Sequence, residues 1–182
     1  MATYSDSTPI PQVTDPTAWA NLTTGAWCYY NNDIATGTTY GKLYNWYAVA
    51  GIWNEASKTD VSQRKKLAPT GYHIPSDAEW TTLTDYLGGA AVAGGKMKEI
   101  GYSHWLSSNS GVTNSSDFSG LPGGCRYDYG TFLAIGYYGY WWSSSELDST
   151  KAWGRYLLYV YVNASREGQD KRSGYSVRCL RD

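Results

Sequence analysis

The segment from Ala152 to Asn163, AWGRYLLYVYVN, constrains the fold more than any other part of the chain. It is rich in residues that favour β-strands and is long enough to cross a sheet. A strand sends alternate side chains to opposite faces, and both sets here are mostly apolar or aromatic. The segment therefore predicts either a central strand buried on both sides or a strand with one open face that forms a contact site.

The two faces of this strand carry different side chains, and the residues after it predict a partner strand. One face has Trp153, Arg155, Leu157, Tyr159 and Tyr161. The other has Gly154, Tyr156, Leu158, Val160 and Val162. Residues 164–173, ASREGQDKRS, predict a polar loop, and residues 174–182, GYSVRCLRD, predict a final strand. A hairpin follows from this order.

The clearest helix start lies at Ser76, where SDAE places a capping serine three residues before Glu79. Each side chain can satisfy a free amide of the first turn. A helix from about residue 77 to 86 would bury Trp80, Leu83 and Leu87, and Gly88-Gly89 would end it. A second short helix is predicted over residues 95–100.

The remaining segments predict a single α+β domain with helices early and an antiparallel sheet late. Residues 1–16 contain three prolines and predict an extended arm, followed by one domain over 17–182. Residues 27–31 predict a strand, residues 31–39 a loop, and residues 42–53 a core element that is either helix or strand. The chain beyond Gly101 is β-rich in composition.

Charge and hydropathy exclude several functions. Fifteen Lys+Arg against sixteen Asp+Glu leave no basic field for a phosphate backbone, so nucleic acid is not an expected partner. No apolar run approaches the ~20 residues that cross a bilayer, and the N-terminus lacks the pattern of a secretory signal. Aromatic residues make up 16% of the chain, and most are Tyr or Trp. These side chains combine an apolar ring with a polar group and therefore suit partly solvated contact surfaces.

The residues that could carry chemistry do not form a recognised catalytic or metal pattern. Cys28, Cys125 and Cys179 are interpreted as buried thiols, with a Cys125–Cys179 bridge as the alternative. His73 and His104 lack metal-ligand spacing, and His73 is interpreted as a hydrogen-bonded core residue. Residues 31–33, NND, could hold a cation but more often form a turn. We expect no catalytic residue, metal or cofactor, and no enzymatic activity.

Several strings resemble the Fibrobacter-type major paralogous domain over about residues 27–182. They are GYHIPSDAEWTTLTDYLGG, AGGKMKEIG, FSGLPGGCRY, GYWWSSSE, AWGRYLLY and GYSVRCLRD. That family is similar to the C-type-lectin fold and to relatives of the formylglycine-generating enzyme. It includes variable proteins of diversity-generating retroelements, in which adenine-directed mutagenesis rewrites a C-terminal segment on a fixed scaffold. The resemblance implies a variable segment over about residues 141–182.

Within that segment, the resemblance divides framework positions from displayed positions. Trp153, Arg155, Leu157 and Tyr159 match the framework, so the opposite face of the strand would be displayed. The implied ligand-binding positions are Leu147, Asp148, Gly154, Tyr156, Leu158, Val160, Tyr161, Asn163, Ala164, Ser165, Gly168, Asp170, Ser173 and Tyr175. Each is a residue type that adenine changes can produce from an Asn codon, whereas Glu167 and Gln169 are not. We expect nine of these residues to form one exposed patch: Tyr156, Leu158, Val160, Tyr161, Tyr175, Asp148, Asn163, Ser165 and Asp170.

The leading functional hypothesis is a binding protein that displays a variable surface to a protein or cell-surface ligand, at a virion or cell exterior. One alternative is a structural or adhesive domain without diversification. Another is an enzyme of the formylglycine-generating kind, which would need a reactive cysteine pair that the spacing of the three cysteines does not offer.

Overall fold

A computed structural model describes all 182 residues of the chain as a mixture of short helices and strands. The helices are α1 Pro16–Ala20, α2 Ile34–Tyr40, α3 Trp46–Val49, α4 Ala56–Thr59, α5 Asp77–Tyr86 and α6 Ala90–Met97. The strands are β1 Trp27–Cys28, β2 Leu43–Tyr44, β3 Tyr72–His73, β4 Gly123–Arg126, β5 Phe132–Ile135, β6 Tyr138–Glu146, β7 Lys151–Leu158, β8 Ala164–Asp170 and β9 Leu180–Arg181. The predicted α+β class, with the helices in the first half and the main sheet in the second, is confirmed.

The main sheet has five strands in the order β5-β4-β6-β7-β8 and is curled. Its neighbouring strands are antiparallel except for β4 and β6, which are parallel at Gly124 and Gly139. Two further pairs, β1–β2 and β3–β9, tie the N-terminal half together and attach the C-terminus to it. The predicted final strand is therefore short, and isolated bridges hold residues 174–176.

The sheet separates two hydrophobic cores. On the helix face, Trp141 and Leu157 pack with Trp80 of α5 and Met97 of α6. On the opposite face, Trp142 and Ala152 join a core that contains Tyr44, Trp46 and Tyr175. Because adjacent residues of a strand point to opposite faces, the neighbours Trp141 and Trp142 belong to different cores.

Helix α5 begins with the capping box that the sequence predicts. The Ser76 amide donates to the Glu79 carboxylate at 2.7 Å, and the Glu79 amide donates to Ser76 Oγ at 3.2 Å. Trp80 and Leu87 are buried, and Leu83 is partly buried against the same core. The predicted packing of this helix is confirmed.

Two arginines of the sheet hold the first turn of α5. Arg155 Nη1 lies 2.7 Å from Asp77 Oδ1, and Arg166 Nη2 lies 2.8 Å from Asp77 Oδ2. The Arg166 guanidinium also stacks on Trp153, 3.4 Å from its ring centroid. Arg155 is buried and its charge is compensated, as a buried arginine requires. The helix face of β7 is therefore fixed to α5.

Three predicted boundaries in the second half and around α6 are wrong. The second helix begins at Ala90 rather than at residue 95. Gly94 and Gly95 lie inside this helix, at the positions where it closely approaches the main chain of other segments. Strand β7 ends at Leu158 rather than at Asn163. The predicted polar loop over residues 164–173 is largely strand β8, paired with β7 from Lys151–Asp170 to Leu157–Ala164. Its charged side chains are those of an edge strand, which pattern alone does not distinguish from a loop.

The N-terminal predictions also need correction. The strand over residues 27–31 is reduced to β1, and the predicted loop over 31–39 contains α2. The undecided segment 42–53 holds both β2 and α3. In the sixteen residues predicted as an arm, Tyr4 and Ile10 are buried in the core opposite α5 and α6.

None of the helices combines the length and the apolar character needed to cross a bilayer.

The three cysteines are free thiols. Cys28 and Cys125 are buried, as the leading interpretation predicts, and Cys179 is partly buried. The alternative of a Cys125–Cys179 bridge is therefore wrong. Burial raises the pKa of Cys28 and of Cys125 to about 12, so both are protonated thiols at neutral pH.

Candidate functional site

Tyrosine side chains lie together at one end of the sheet face opposite α5 and α6. Tyr138 and Tyr140 alternate along β6, and Tyr156 of β7 pairs directly with Tyr140. The ring centroids are 5.4 Å apart for Tyr138–Tyr140, 5.7 Å for Tyr140–Tyr156 and 5.8 Å for Tyr138–Tyr156. Because side chains alternate between the two faces of a strand, the two tyrosines of the string YGY lie side by side in a row on one face.

A second tyrosine pair lies beside this row, just after β4. Tyr127 and Tyr129 stack with centroids 5.4 Å apart and an angle of 12°. Burial, followed by the Cys125 thiol and the phenol groups of Tyr129 and Tyr138, raises the pKa of Tyr127. Because β4 pairs with β6 at Gly124 and Gly139, the residues just after β4 lie beside the row. We define the tyrosine surface as Tyr127, Tyr129, Tyr138, Tyr140 and Tyr156.

Buried aromatic rings support the tyrosine surface from below. Tyr140 stacks on Tyr175 at 4.8 Å, and Tyr175 contacts Trp142 at 4.5 Å. Tyr175 is 1% exposed, and its main chain exchanges two hydrogen bonds with Tyr44. The Trp142 indole donates to the Tyr44 carbonyl at 2.8 Å. Tyr140, itself only partly exposed, therefore anchors the tyrosine surface to buried rings.

The tyrosine surface can offer both ring faces and hydroxyl groups to a ligand. None of its five hydroxyls makes a hydrogen bond to another protein group. Ser165 and Glu167 of β8 point to the same sheet face and add polar groups at the edge. Glu167 accepts from Gln169 at 2.9 Å and takes part in no ion pair. Such a surface is apolar in its body and polar at its tips.

Four of the implied display positions lie on the sheet face that carries the tyrosine surface. They are Gly154, Tyr156, Leu158 and Ser165. Tyr156, Leu158 and Ser165 are partly exposed, whereas Gly154 is buried and a Cβ there would lie 3.7 Å from the Tyr175 ring. Arg155 and Leu157 are buried on the helix face, which agrees with the predicted division of this strand into two faces.

Three further implied positions are buried, and one of them, Tyr175, belongs to the exposed patch as predicted, which is therefore wrong in part. Tyr175 lies beneath Tyr140, because the chain after β8 passes under the tyrosine surface instead of returning over it. Ala164 packs in the helix-face core, since its pairing with Leu157 places it on that side. Ser173 is also buried.

The other implied positions lie at the two ends of the β6–β7–β8 hairpins. At one end, Asp148 accepts the Thr150 and Lys151 amides of the β6–β7 turn, and Leu147 covers Gly168. Asp170 pairs with Arg172 at 2.9 Å. At the other end, the β7–β8 turn, residues 159–163, carries the remaining three: Val160, Tyr161 and Asn163. The strand ends before Val160, so the alternation argument does not apply to it.

Four residues of the tyrosine surface were not predicted as site residues: Tyr127, Tyr129, Tyr138 and Tyr140. The alternating string YGYWW over residues 138–142 could have indicated that Tyr138 and Tyr140 share a face. No sequence signal places Tyr127 and Tyr129 beside them, because that neighbourhood arises from the parallel pairing of β4 with β6.

A cleft of about 520 Å³ lies elsewhere, between α3 and the segment that precedes α5. His73 lies at its wall with Nδ1 2.6 Å from Asp182 and Nε2 2.8 Å from Glu79. Hydrogen bonds to Asp182 and then to Glu79 raise the pKa of His73. The residue is hydrogen-bonded as predicted, but it is partly exposed and does not belong to the core.

The model of one known family matches nearly the whole chain. It is the model of the Fibrobacter succinogenes major domain, and it covers residues 1–181. No curated protein and no solved structure matches the chain.

Proposed function

The chain belongs to the Fibrobacter succinogenes major domain family, and on that premise we propose that it is a ligand-binding protein of C-type-lectin-like fold whose tyrosine surface forms the contact site. The observation that carries the proposal is the group of five neighbouring tyrosines with unpaired hydroxyls on one sheet face. The partner is a protein or another cell-surface ligand, and the protein acts at a virion or cell exterior. It is not an enzyme in this proposal.

The physical properties of tyrosine support a contact role. A tyrosine presents a large ring and a hydroxyl while losing little side-chain entropy, which is why binding loops of antibodies are rich in it. Here the buried Tyr175 and Trp142 fix the rings from below, so little ordering is left for the moment of binding. The formal net charge of −1 favours a protein or neutral ligand over a polyanion such as nucleic acid.

We further propose that the surface is diversified, as in the variable proteins that the sequence resembles. Tyr156, Leu158 and Ser165 would be rewritten, while Arg155 and Leu157 on the helix face would stay constant to preserve the core. A near-identical template copy beside the gene, differing at adenines within the codons for residues 141–182, would support diversification. Without such a copy, an adhesive domain with an invariant surface becomes the better proposal.

The binding proposal is tested with arrays of purified proteins and of glycans. The wild type is compared with a Tyr138→Ser/Tyr156→Ser double variant and with Tyr86→Ser as the matched control, since Tyr86 is 88% exposed on α5. We expect hits that the double variant loses by at least tenfold in affinity, about 1.4 kcal/mol or more, and that Tyr86→Ser retains. Hits that tolerate the double variant would contradict the proposed site.

A further inference from the structure

One fully buried ammonium group lies under the β7–β8 turn. Lys98, which follows α6, is 0% exposed, and its Nζ takes part in no ion pair. Instead its three N–H groups are shared among four main-chain carbonyls within hydrogen-bond distance: Tyr161 O at 2.8 Å, Leu158 O and Tyr159 O at 3.2 Å, and Ser110 O at 3.3 Å. A buried charge is tolerated only where such bonds compensate it.

The other contacts of this turn are also largely made by main-chain atoms. The Gly95 amide donates to Val162 O at 2.9 Å, and the Ser110 amide donates to Tyr159 O at 3.0 Å. At Gly94 the helix approaches so closely that a Cβ would lie 2.2 Å from Asn163 O. Every residue from Leu158 to Asn163 except Val160 thus contributes its carbonyl oxygen to a contact with the scaffold.

The side chains of the turn divide into packed and free ones. Tyr159 packs at the edge of the helix-face core, and Val162 lies against Gly111. Tyr161 is 58% exposed, Val160 is partly exposed, and Asn163 bonds only to Ser165 within the hairpin. None of these three side chains makes a hydrogen bond to the scaffold outside the hairpin, and they are the three turn positions that the family resemblance implies as interchangeable.

We propose that Lys98 is the positioning residue of the β7–β8 turn, and that it fixes the main chain of the turn independently of the side chains at 160, 161 and 163. The ammonium occupies the place that a bound cation would take among four carbonyl oxygens. A turn held in this way keeps its shape when its exposed side chains change. The link to recognition rests on the proposed function, because Leu158, which precedes the turn, pairs with Tyr138 of the tyrosine surface. The anchoring itself can be measured without any ligand.

Amide hydrogen exchange of the turn tests the anchoring. Lys98→Met keeps the hydrocarbon chain and removes the charge, and Lys96→Met is the matched control because its ammonium binds a single carbonyl, that of Leu87. We expect the Tyr159 and Tyr161 amides to exchange at least about tenfold faster in Lys98→Met and to change less than about twofold in Lys96→Met. Unchanged exchange in Lys98→Met would overturn the proposal.

Two further measurements separate the ammonium from simple packing. In Lys98→Ala, n-propylammonium should restore slow exchange in the turn, whereas tetramethylammonium, which has no N–H donor, should not. Val160→Ser and Tyr161→Ser in the wild-type background should change exchange less than about twofold. Faster exchange in these two variants than in Lys98→Met would show that side chains hold the turn.

The wild type provides a test that does not depend on a variant folding. Burial lowers the pKa of Lys98 to about 8, so the group is an ammonium at pH 6. In ¹⁵N-lysine NMR spectra at that pH, the Lys98 ammonium protons should exchange slowly enough to be seen, while those of the exposed Lys66 should not. Exchange at equal rates would contradict the assignment. Loss of array binding by the Tyr138→Ser/Tyr156→Ser variant tests the proposed function separately.

Discussion

At the scale of single residues, neighbouring side chains of β7 have opposite environments. Leu157 is 1% exposed in the helix-face core, whereas Tyr156 is partly exposed and its ring lies beside those of Tyr138 and Tyr140. The alternation of the strand predicted this difference from sequence. The burial of Tyr175 could not be predicted, because it depends on where the chain runs after β8.

Leu157→Ala and Tyr156→Ala should therefore differ in stability. Leu157→Ala removes fully buried carbon atoms and should lower the free energy of unfolding by about 2–5 kcal/mol. Tyr156→Ala removes two partly exposed ring contacts and should cost only about 1 kcal/mol. Urea unfolding measures both values. Equal losses would show that Tyr156 belongs to a core.

The His73 hydrogen bonds make stability depend on pH. The pKa of His73 is raised in the fold, so the stabilisation by its charged form is complete below the unfolded value of about 6.5 and is lost as pH rises through the folded value. We expect the urea midpoint of the wild type to fall between about pH 5.5 and pH 8.5, and to fall less in His73→Gln. Parallel declines in both proteins would assign the pH dependence to other groups.

At the scale of elements, those with a local signal were predicted well. Helix α5 carries a capping serine, a glutamate three residues later and an apolar stripe, and its predicted bounds are those of the structure. Helix α2 has no buried residue, so its sequence lacks the apolar periodicity from which a helix could have been predicted. Strand β8 was missed for a similar reason, because an edge strand with Arg166 and Glu167 has the composition of a loop.

The glycines of α6 lead to a test in which packing opposes helix propensity. In an exposed helix, Gly→Ala stabilises by about 1 kcal/mol. At Gly95, however, a Cβ would lie 2.5 Å from Gly111 O, so Gly95→Ala should destabilise by at least about 1 kcal/mol. Ala91→Gly at an exposed position of the same helix serves as the control and should cost about 1 kcal/mol through propensity alone. A stabilising Gly95→Ala in urea unfolding would contradict the close approach.

At the scale of the whole molecule, the two cores share one sheet. The sequence indicated a central strand with apolar or aromatic residues on both faces. It did not indicate that each face of the sheet packs against a separate hydrophobic core. That arrangement depends on contacts between distant segments, including Tyr4 and Ile10 at the N-terminus and Trp142 in β6. Local pattern carries no information on such pairings.

Trp80→Ala tests whether the two cores unfold together. The side chain is buried in the helix-face core, so its loss should lower the free energy of unfolding by about 3–5 kcal/mol. Because β6 and β7 belong to both cores, one calorimetric transition should shift as a whole, with no separate transition for the core around Trp142. Two transitions, or a loss below about 1 kcal/mol, would contradict this arrangement.

The position of the tyrosine surface on a sheet shared by two cores also has a consequence for the rate of the proposed ligand binding. Such a sheet cannot bend without disturbing packing on both sides, so under the proposed function a partner would meet the rings already in their bound arrangement. Encounter then requires no slow rearrangement, and association rates should vary little among chains that differ only at the surface. Selection among such chains would act on how long each complex lasts.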